Sequence, residues 1–405
     1  MSAHNRAFSD PILCRGLLEK IRAELDFPLR FMEVCGTHTA AVFRAGLPSL
    51  WPEEITHISG PGCPVCVTHV RDIAACLELA GRENLTLACF GDMMRIPGPG
   101  GMSLGKARAE GADVRVVYSP LEALDYAAEN SKRPVVFLGV GFETTAPAAA
   151  AVILRAARAR LKNFAVLSLH KLVPAALRAL LDDQNGSMGL KAGVSNRKGS
   201  SDENGRDGER AAAGGDAVPA AVDALLLPGH VSTIIGLEPY SFIAGEFGKP
   251  GVVGGFEPAD ILQSLLLMIR MLNRGEAEIQ NQYRRAVEPE GNAKARALLE
   301  EVFAPADALW RGLGAIPQSG LEIRPAYADF DAARRFLADK SWRDKTRYGP
   351  EENPACKCGE ILRGRLRPRQ CPLFGKACVP EHPSGPCMVS AEGSCAAVFR
   401  YQADL

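Results

Sequence analysis

The segment RFMEVCGTHTA, residues 30–40, sets the pattern for most of the chain. Its apolar run RFMEV favours a strand, and the turn CGTHT leads into residues of helical period. Six further runs have the same character: ITHIS at 55–59, LTLACF at 85–90, VRVVYS at 114–119, PVVFLGV at 134–140, FAVLSL at 164–169 and ALLLPG at 224–229. Because segments of helical period separate these runs, the sequence predicts parallel sheets covered by helices.

Segments in which apolar residues recur with the period of a helix lie in two parts of the chain. Between the predicted strands, this period is strongest at 66–80, 119–130, 145–161 and 173–182. Later in the chain, with no convincing strand between the segments, it returns at 258–285, 293–303 and 329–340. The stretch 186–218 has almost no large apolar residue, so we expect a disordered surface loop there.

We therefore predict an α/β fold with two Rossmann-like parallel-sheet domains, each with helices on both faces, and a small cysteine-rich domain. The first α/β domain would span 28–130 and the second 131–285, with the disordered insertion at about 186–218 inside it. Residues 286–405 would form a helical domain with the cysteine-rich end, which a helix at 9–26 could join.

The composition excludes several classes of protein. Lys and Arg total 47, as do Asp and Glu, so the net charge is zero and nothing favours nucleic acid or a membrane surface as a partner. The polar N-terminal residues do not resemble a secretory signal, and no stretch approaches the roughly 18 apolar residues of a membrane span. We expect a cytoplasmic protein, and 12 cysteines in that compartment favour metal binding or redox chemistry because structural disulfides are rare there. Cys14, Cys76 and Cys89 lie inside apolar patterns and are expected to pack in the core.

One group of cysteines lies near the C-terminus, at Cys356, Cys358, Cys371, Cys378, Cys387 and Cys395. Their spacing lacks paired C-x-x-C knuckles, which favours an iron–sulfur cluster over a structural zinc site, with unligated thiols as the third alternative. A 4Fe-4S cluster uses four thiolates, so two cysteines are left over. Such a pair beside a cluster can cycle between dithiol and disulfide.

A second group of thiols lies near the N-terminus. Cys35 directly follows the run RFMEV, and His38 lies at the expected start of a helix, whose dipole lowers the pKa of a nearby thiol. Cys63 and Cys66 form a C-x-x-C at another strand-to-helix turn, as thioredoxin-like redox motifs do. Thiolates on neighbouring loops, with His38 or His69, could instead form an open iron or zinc site. The structural alternatives are a buried small residue at Cys35 and a stabilising pair at Cys63 and Cys66.

Several motifs together carry a family resemblance: CGTHT at 35–39, GPGCPVCV at 60–67, CFGDMMRIPGP at 89–99, GFETT at 141–145, LHKLVP at 169–174, PGHVSTIIG at 228–236 and VVGGFEPADIL at 252–262. The segments ACKCG, CPLFGKAC and PCMVSAEGSCAA follow in the same order near the C-terminus. This set closely resembles the HypD family, the maturation scaffolds for the iron centre of nickel–iron hydrogenases. The resemblance covers almost the whole chain and departs from the family at the insertion around 186–218.

The resemblance implies a scaffold on which an iron ion acquires two cyanides and one carbon monoxide, giving an Fe(CN)2CO unit held jointly with the small chaperone HypC. Cyanide would be delivered by HypE, which HypF loads. Cys35 would be the principal iron ligand, with Cys63 and Cys66 as a supporting pair, and His38 would orient groups or donate a proton there.

The resemblance also assigns the C-terminal cysteines. A 4Fe-4S cluster would be bound by Cys356, Cys371, Cys378 and Cys395. The adjacent redox-active pair would be Cys358 and Cys387. Such a protein is an assembly scaffold with redox activity more than a conventional turnover enzyme. The alternatives are a cluster-dependent disulfide reductase that uses Cys63 and Cys66 for soluble substrates, and a zinc–thiolate protein that bridges other proteins.

Overall fold

The structure, a computed structural model, describes residues 7–184, 222–337 and 353–402. The insertion predicted at 186–218 lies outside the described residues. The described strands are β1 (Leu29–Glu33), β2 (Ile55–Ser59), β3 (Thr86–Cys89), β4 (Val114–Val116), β5 (Val135–Gly139), β6 (Phe164–Ser168), β7 (Ala224–Pro228), β8 (Gly251–Gly254), β9 (Ile279–Asn281), β10 (Phe303–Trp310) and β11 (Gly314–Ile323).

The described α-helices are α1 (Pro11–Glu24), α2 (Gly36–Arg44), α3 (Pro64–Val67), α4 (Val70–Ala80), α5 (Leu104–Ala109), α6 (Pro120–Glu129), α7 (Ala146–Arg158), α8 (Val173–Gln184), α9 (Gly229–Ile235), α10 (Ser241–Gly245), α11 (Pro258–Asn273), α12 (Ala293–Val302), α13 (Ala332–Phe336), α14 (Cys358–Leu362) and α15 (Ser394–Tyr401). Among the described residues, no helix has both the length and the apolar character needed to cross a bilayer.

Two parallel sheets form the framework. The first sheet has the strand order β2-β1-β7-β8-β9, and the second has the order β4-β3-β5-β6. All neighbouring strands within each sheet are parallel, whereas β10 and β11 form an antiparallel hairpin. The second sheet lies in sequence between β2 and β7. The chain therefore leaves the first sheet, builds the second and returns to the first.

Both sheets are buried on two faces, as parallel sheets require. In β1, Phe31 packs into an apolar cluster with α1, α2 and α11, and Met32 packs into the cluster on the opposite face. In β5, Val136 packs with α4 and Phe137 packs with α6 and α7. This alternation follows from the two-residue period of a strand.

The predicted α/β class with helix-covered parallel sheets is confirmed, and each of the seven predicted strand runs contains a strand. The helices predicted at 119–130, 145–161 and 173–182 correspond to α6, α7 and α8. The helix predicted at 66–80 is divided, because α3 ends at Val67 and α4 begins at Val70.

The strand pairing does not follow the predicted division at residue 130. Strands β1 and β2 from the range 28–130 pair within one sheet with β7, β8 and β9 from the range 131–285. Strands β3 and β4 from the first range likewise pair with β5 and β6 from the second. Local periodicity identifies strands but not their neighbours, and one pairing, of β1 with β7, joins strands that are far apart in sequence.

The last third of the chain contains strands that the sequence does not predict. Helix α11 ends at Asn273 and β9 follows it, so the predicted helix 258–285 is too long, and the hairpin β10-β11 occupies 303–323. Of the helix predicted at 329–340, α13 is the α-helical part among the described residues, and 338–340 lie outside them.

Two helices assigned by the sequence to the third domain pack against the sheets. Helix α12 packs against α7 of the second sheet. The N-terminal helix α1 packs on α11, where Arg270 forms an ion pair with Glu24 at 2.6 Å, so α1 belongs to a helical layer of the first sheet. Both placements bury the apolar side of an amphipathic helix against the nearest covered sheet.

We predict that the substitution Leu226→Ala in β7 lowers the free energy of unfolding by about 2–5 kcal/mol, because it leaves a cavity beneath α11. Leu226 is 1% exposed and lies in the core of the first sheet. Urea titration followed by circular dichroism measures the change. Leu121→Ala is the control, since Leu121 is 40% exposed and its loss should cost less than about 0.5 kcal/mol. Equal losses in the two variants would contradict this packing.

Candidate thiol site

Cys35 lies between β1 and α2, at the first turn of the helix. The backbone N–H of Gly36 donates to the carbonyl oxygen of Gly62 at 2.8 Å, which joins this turn to the loop after β2. A Cβ atom on Gly62 would collide with the backbone nitrogen of Cys35, so only glycine permits this approach. The two loops of the N-terminal thiols, predicted to be neighbours, therefore touch.

Burial dominates the electrostatics of Cys35, whose side chain is 8% exposed. Burial, and then the carboxylates of Glu392 and Glu33, raise the pKa of Cys35 to about 12, although the backbone N–H groups of His38 and Thr37 act in the opposite direction. The thiol is thus protonated at neutral pH. A metal cation would reverse this balance, since a coordinating thiol loses its proton.

His38 lies on the first turn of α2 and is fully buried. Its Nε2 lies 2.9 Å from the carbonyl oxygen of Gly255, which can only accept, so Nε2 carries the proton and Nδ1 has the lone pair. Nδ1 has no hydrogen-bond partner among the described residues. Burial lowers the pKa of His38 to about 4, so the ring is neutral, and it stacks on Phe256 with the ring centroids 4.5 Å apart.

Glu33 holds the Cys35 turn in place, a role that the sequence interpretation missed. Its buried carboxylate accepts the backbone N–H of Cys35 at 2.9 Å and the hydroxyl of Thr39, and it lies 3.8 Å from Nε2 of His57. The sequence does contain an indication of this role, because Glu33 is a charged residue inside the apolar run RFMEV. A charge that is buried in such a run needs partners.

Cys63 and Cys66 form a disulfide at the start of α3, where the chain passes from the first sheet towards the second. Both residues are buried, at 4% and 0% exposure. As a disulfide, the pair cannot ligate metal, so this state supports the redox interpretation of the C-x-x-C. The sulfur of Cys66 lies 3.9 Å from the carbonyl oxygen of Pro386, which directly precedes Cys387.

All six C-terminal cysteines line one small cavity, together with Ile361, Phe374 and Met388. The thiol of Cys387 lies within hydrogen-bonding range of Cys358 and Cys395, and these thiols together with burial raise the pKa of Cys387 well above its usual value. A Cβ atom on Gly385 would lie 2.6 Å from the sulfur of Cys356, so the backbone approaches the cavity closely there. The cysteines and the Cys63–Cys66 disulfide belong to the same buried apolar cluster.

The donor set of this cavity consists of thiols, which are the usual ligands of an iron–sulfur cluster. In the described part of the chain, no group of three or more His, Cys, Asp and Glu side chains is placed to hold a metal ion. The thiolates of a 4Fe-4S cluster bind separate irons, so they surround a volume and need not converge on a point. Six thiols around one cavity fit that requirement and exceed it by two.

The C-terminal segment also closes over Cys35. The hydroxyl of Thr37 donates to the carboxylate of Glu392 at 2.7 Å, and the Glu392 backbone leaves no room for a side chain on Gly36. Arg95, after β3 of the second sheet, donates to the carbonyl oxygen of Val389 at 2.9 Å. The cysteine-rich segment is thereby fixed to both sheets beside the N-terminal thiols.

His69, a candidate ligand in the sequence interpretation, has a different position. Its Nδ1 accepts the backbone N–H of Arg71 at 3.2 Å. The backbone N–H of His69 donates to the carboxylate of Asp72, which completes a capping box at the start of α4. The side chain therefore caps a helix.

The two parallel sheets and the thiols concentrated where they meet define this chain as an α/β protein with a cysteine-rich site. Comparison with known proteins then gives its family. The HypD family model, described as the hydrogenase formation hypA family, matches residues 13–195 and 212–402.

Full-length relatives agree with this match. The hydrogenase expression/formation protein HupD of Azotobacter chroococcum mcd 1 is 45% identical over 397 residues, which cover 97% of this chain and 95% of the relative. The hydrogenase maturation factor HypD of Escherichia coli strain K12 is 41% identical over 379 residues, which cover 93% and 90%. The chain belongs to the HypD family of hydrogenase maturation factors.

We predict that Glu392→Gln lowers the pKa of Cys35, because it removes a carboxylate charge while the amide oxygen still accepts from Thr37. Alkylation of Cys35 by iodoacetamide in mildly alkaline buffer, followed by mass spectrometry of its peptide, should become roughly three- to tenfold faster. The control is Glu381→Gln, at an exposed carboxylate on the same C-terminal segment. Equal rates in the two variants would show that the Glu392 charge does not act on Cys35.

Proposed function

We propose that this protein is the cytoplasmic scaffold on which the iron unit of nickel–iron hydrogenase, Fe(CN)2CO, is assembled. The iron cargo would be bound by Cys35 and shared with a HypC-type small chaperone. A HypE-type donor, loaded by HypF, would supply cyanide. The main support is the position of Cys35: it lies at a helix start, beside a neutral histidine with a free lone pair on Nδ1, and in contact with the loop of a redox-active disulfide.

We assign the C-terminal cysteines to a 4Fe-4S cluster and a redox pair. The cluster ligands would be Cys356, Cys371, Cys378 and Cys395, and the pair would be Cys358 and Cys387. The convergence of all six thiols on one cavity supports the ligand set, and the short approach of Cys387 to Cys358 supports the pair. Such a cluster supplies one-electron transfer when it is bound.

The thiol pairs suggest a route for electrons. Oxidation of Cys358 and Cys387 to a disulfide releases two electrons and two protons, which reduce the Cys63–Cys66 disulfide to a dithiol. Reoxidation of that dithiol provides two electrons and two protons to break the S–C bond of a thiocyanate donor, which yields a thiol and hydrogen cyanide. The contact between Cys66 and the Pro386 carbonyl supports this route, because it places the two pairs on adjoining segments.

The Cys63–Cys66 disulfide also supports a second candidate, a cluster-dependent disulfide reductase for soluble substrates. That enzyme would reduce small disulfides without any partner protein, given an electron donor. The scaffold would act only with its partner proteins, and the burial of Cys63 and Cys66, at 4% and 0% exposure, disfavours direct attack by small soluble disulfides.

The scaffold proposal predicts cyanide and carbonyl bands in the infrared spectrum of protein isolated without oxygen from hydrogenase-forming cells, together with its small chaperone. Both bands should disappear in Cys35→Ala, because the principal ligand of the iron is gone. Cys14→Ala should retain them, since Cys14 lies on α1 in a different apolar cluster. Bands of full intensity in the Cys35 variant would exclude this residue as the ligand.

The proposed route for electrons predicts that binding of the iron–sulfur cluster can be separated from assembly of the iron unit. In Cys387→Ser, the absorbance of the iron–sulfur cluster should persist while cofactor assembly falls by at least about tenfold, because one thiol of the exchanging pair is missing. Cys371→Ser, at a proposed cluster ligand, should lose the absorbance as well. Normal assembly of the iron unit by the Cys387 variant would rule out this route for electrons.

A further inference from the structure

A groove of about 500 Å³ runs along β2, the outermost strand of the first sheet. The strand itself forms the floor, since each residue of Ile55–Ser59 lines the groove. The walls are mostly apolar and come from two parts of the chain that are far apart in sequence: Phe43, Pro48 and Trp51, and Ile361, Gly364 and Leu366. We call this site the β2 groove.

The two walls stand on opposite faces of the sheet. The ring of Trp51 packs against the ring of His57, with the centroids 6.0 Å apart. A Cβ atom on Gly364 would lie 2.6 Å from the side chain of Ile58. Because consecutive side chains of a strand point to opposite faces, each wall covers one face of β2 and reaches beyond it into the groove. An occupant of the groove therefore meets the edge of the strand.

That strand edge is open. The backbone N–H of Gly60, just after β2, donates to the carbonyl oxygen of Glu33 at 2.8 Å, so the even-numbered residues of β2 direct their backbone groups towards β1. The odd-numbered residues His57 and Ser59 direct theirs away from β1. Within the described ranges, the backbone N–H and C=O groups of these two residues have no hydrogen-bond partner beyond the sheet.

The outermost strand of the second sheet is covered, by contrast. In β6, Val166 forms a bridge with Asp331, and the carbonyl oxygen of Phe164 accepts from Arg335 at 2.9 Å. An uncovered edge is a template for pairing with another chain, and proteins usually protect it. The β2 groove leaves such an edge accessible between two apolar walls, which is the arrangement that receives an added strand.

Positive charge lines the β2 groove without acidic compensation. Arg367 and Arg369 are exposed there, and no Asp or Glu is among the described residues that line the groove. Arg369 donates to the carbonyl oxygen of Gln402, but neither arginine forms an ion pair with a described carboxylate. The preceding Arg363 and Arg365 both lie within 4.0 Å of a glutamate. An occupant with acidic side chains would therefore complement the groove.

We propose that the β2 groove binds an extended, acidic segment of a partner protein, which adds as a strand to the edge of the first sheet. The segment's backbone pairs with His57 and Ser59, its apolar side chains lie between the walls, and its carboxylates face Arg367 and Arg369. Ile361 lines both this groove and the cavity of the C-terminal cysteines, so the bound segment lies beside those thiols. This binding does not depend on the proposed function.

Selection from a phage-displayed random peptide library tests the proposal, with the full chain isolated without oxygen as the bait. The peptides should have about seven residues, slightly more than the five residues of β2. We expect enriched peptides in which apolar and acidic residues alternate. Fluorescence anisotropy of the labelled synthetic peptides then measures their affinity for the full chain and its variants.

Substitution of the groove arginine tests the charge. The enriched acidic peptide should bind Arg367→Glu at least about tenfold more weakly and Arg367→Lys nearly as well as the wild type, because charge is what the rim supplies. A peptide with lysine in place of its acidic residues should bind Arg367→Glu better than the wild type. The control is Arg155→Glu, at an exposed arginine on α7, which should leave affinity unchanged. Thermal melting checks that each variant is folded.

Methylation of the peptide backbone tests strand pairing. In an added strand, the N–H groups of alternate residues face β2, so N-methylation at one set of alternate residues should weaken binding at least about tenfold and N-methylation at the other set should not. An equal effect at both sets would show that no strand is added and would overturn the proposal.

Two further results would contradict it. If no enriched peptide distinguishes the wild type from Arg367→Glu, the groove is not the binding site. Sedimentation of the full chain as a dimer that the enriched peptide dissociates would assign the groove to a second copy of this chain. We expect the sedimentation of the chain to show no such dissociation.

Discussion

The burial of sulfur against one face of the first sheet is the constraint on which the rest of the structure depends. The Cys63–Cys66 disulfide and the C-terminal cysteines share an apolar cluster with Leu225 and Trp310. A thiolate is costly in such surroundings unless a cation or a proton neutralises it. Each thiol must therefore be protonated, oxidised to a disulfide or bound to metal, and the region can change its charge only through one of these reactions.

The path of the chain explains why these groups meet. Since the second sheet is built between β2 and β7, the chain passes from the first sheet to the second near Cys63 and returns to the first before α8. Turns from both sheets therefore meet the C-terminal segment: Thr37, after β1, donates to Glu392, and Arg95, after β3, donates to the carbonyl oxygen of Val389. The carboxyl ends of parallel strands are the usual place for ligands, and here two such edges contribute.

The sequence predicts individual strands, helices and reactive residues better than it predicts which of them lie side by side in the fold. Seven strands are recognisable as apolar β-rich runs, but β8 is a four-residue GVVG and β9 is the polar IQN, which carry little strand signal. Sheet order depends on contacts between segments far apart in sequence. The cysteines and glycines of the thiol loops can be recognised in the sequence by residue type. The role of Glu33, by contrast, depends on its contact with the backbone N–H of Cys35, which the sequence does not show.

The high pKa of Cys35, about 12, also suits the proposed scaffold, which would have to release its cargo. Iron binding at this residue would displace a proton, so its metal affinity would depend on how unfavourable the free thiolate is. The nearby carboxylates of Glu33 and Glu392 make it more unfavourable, because they repel a negative sulfur. Once such an iron left, the thiol would regain its proton at neutral pH and compete weakly for the metal. In the proposed scaffold, burial and like charge would thus favour transfer of the iron onward over its retention at Cys35.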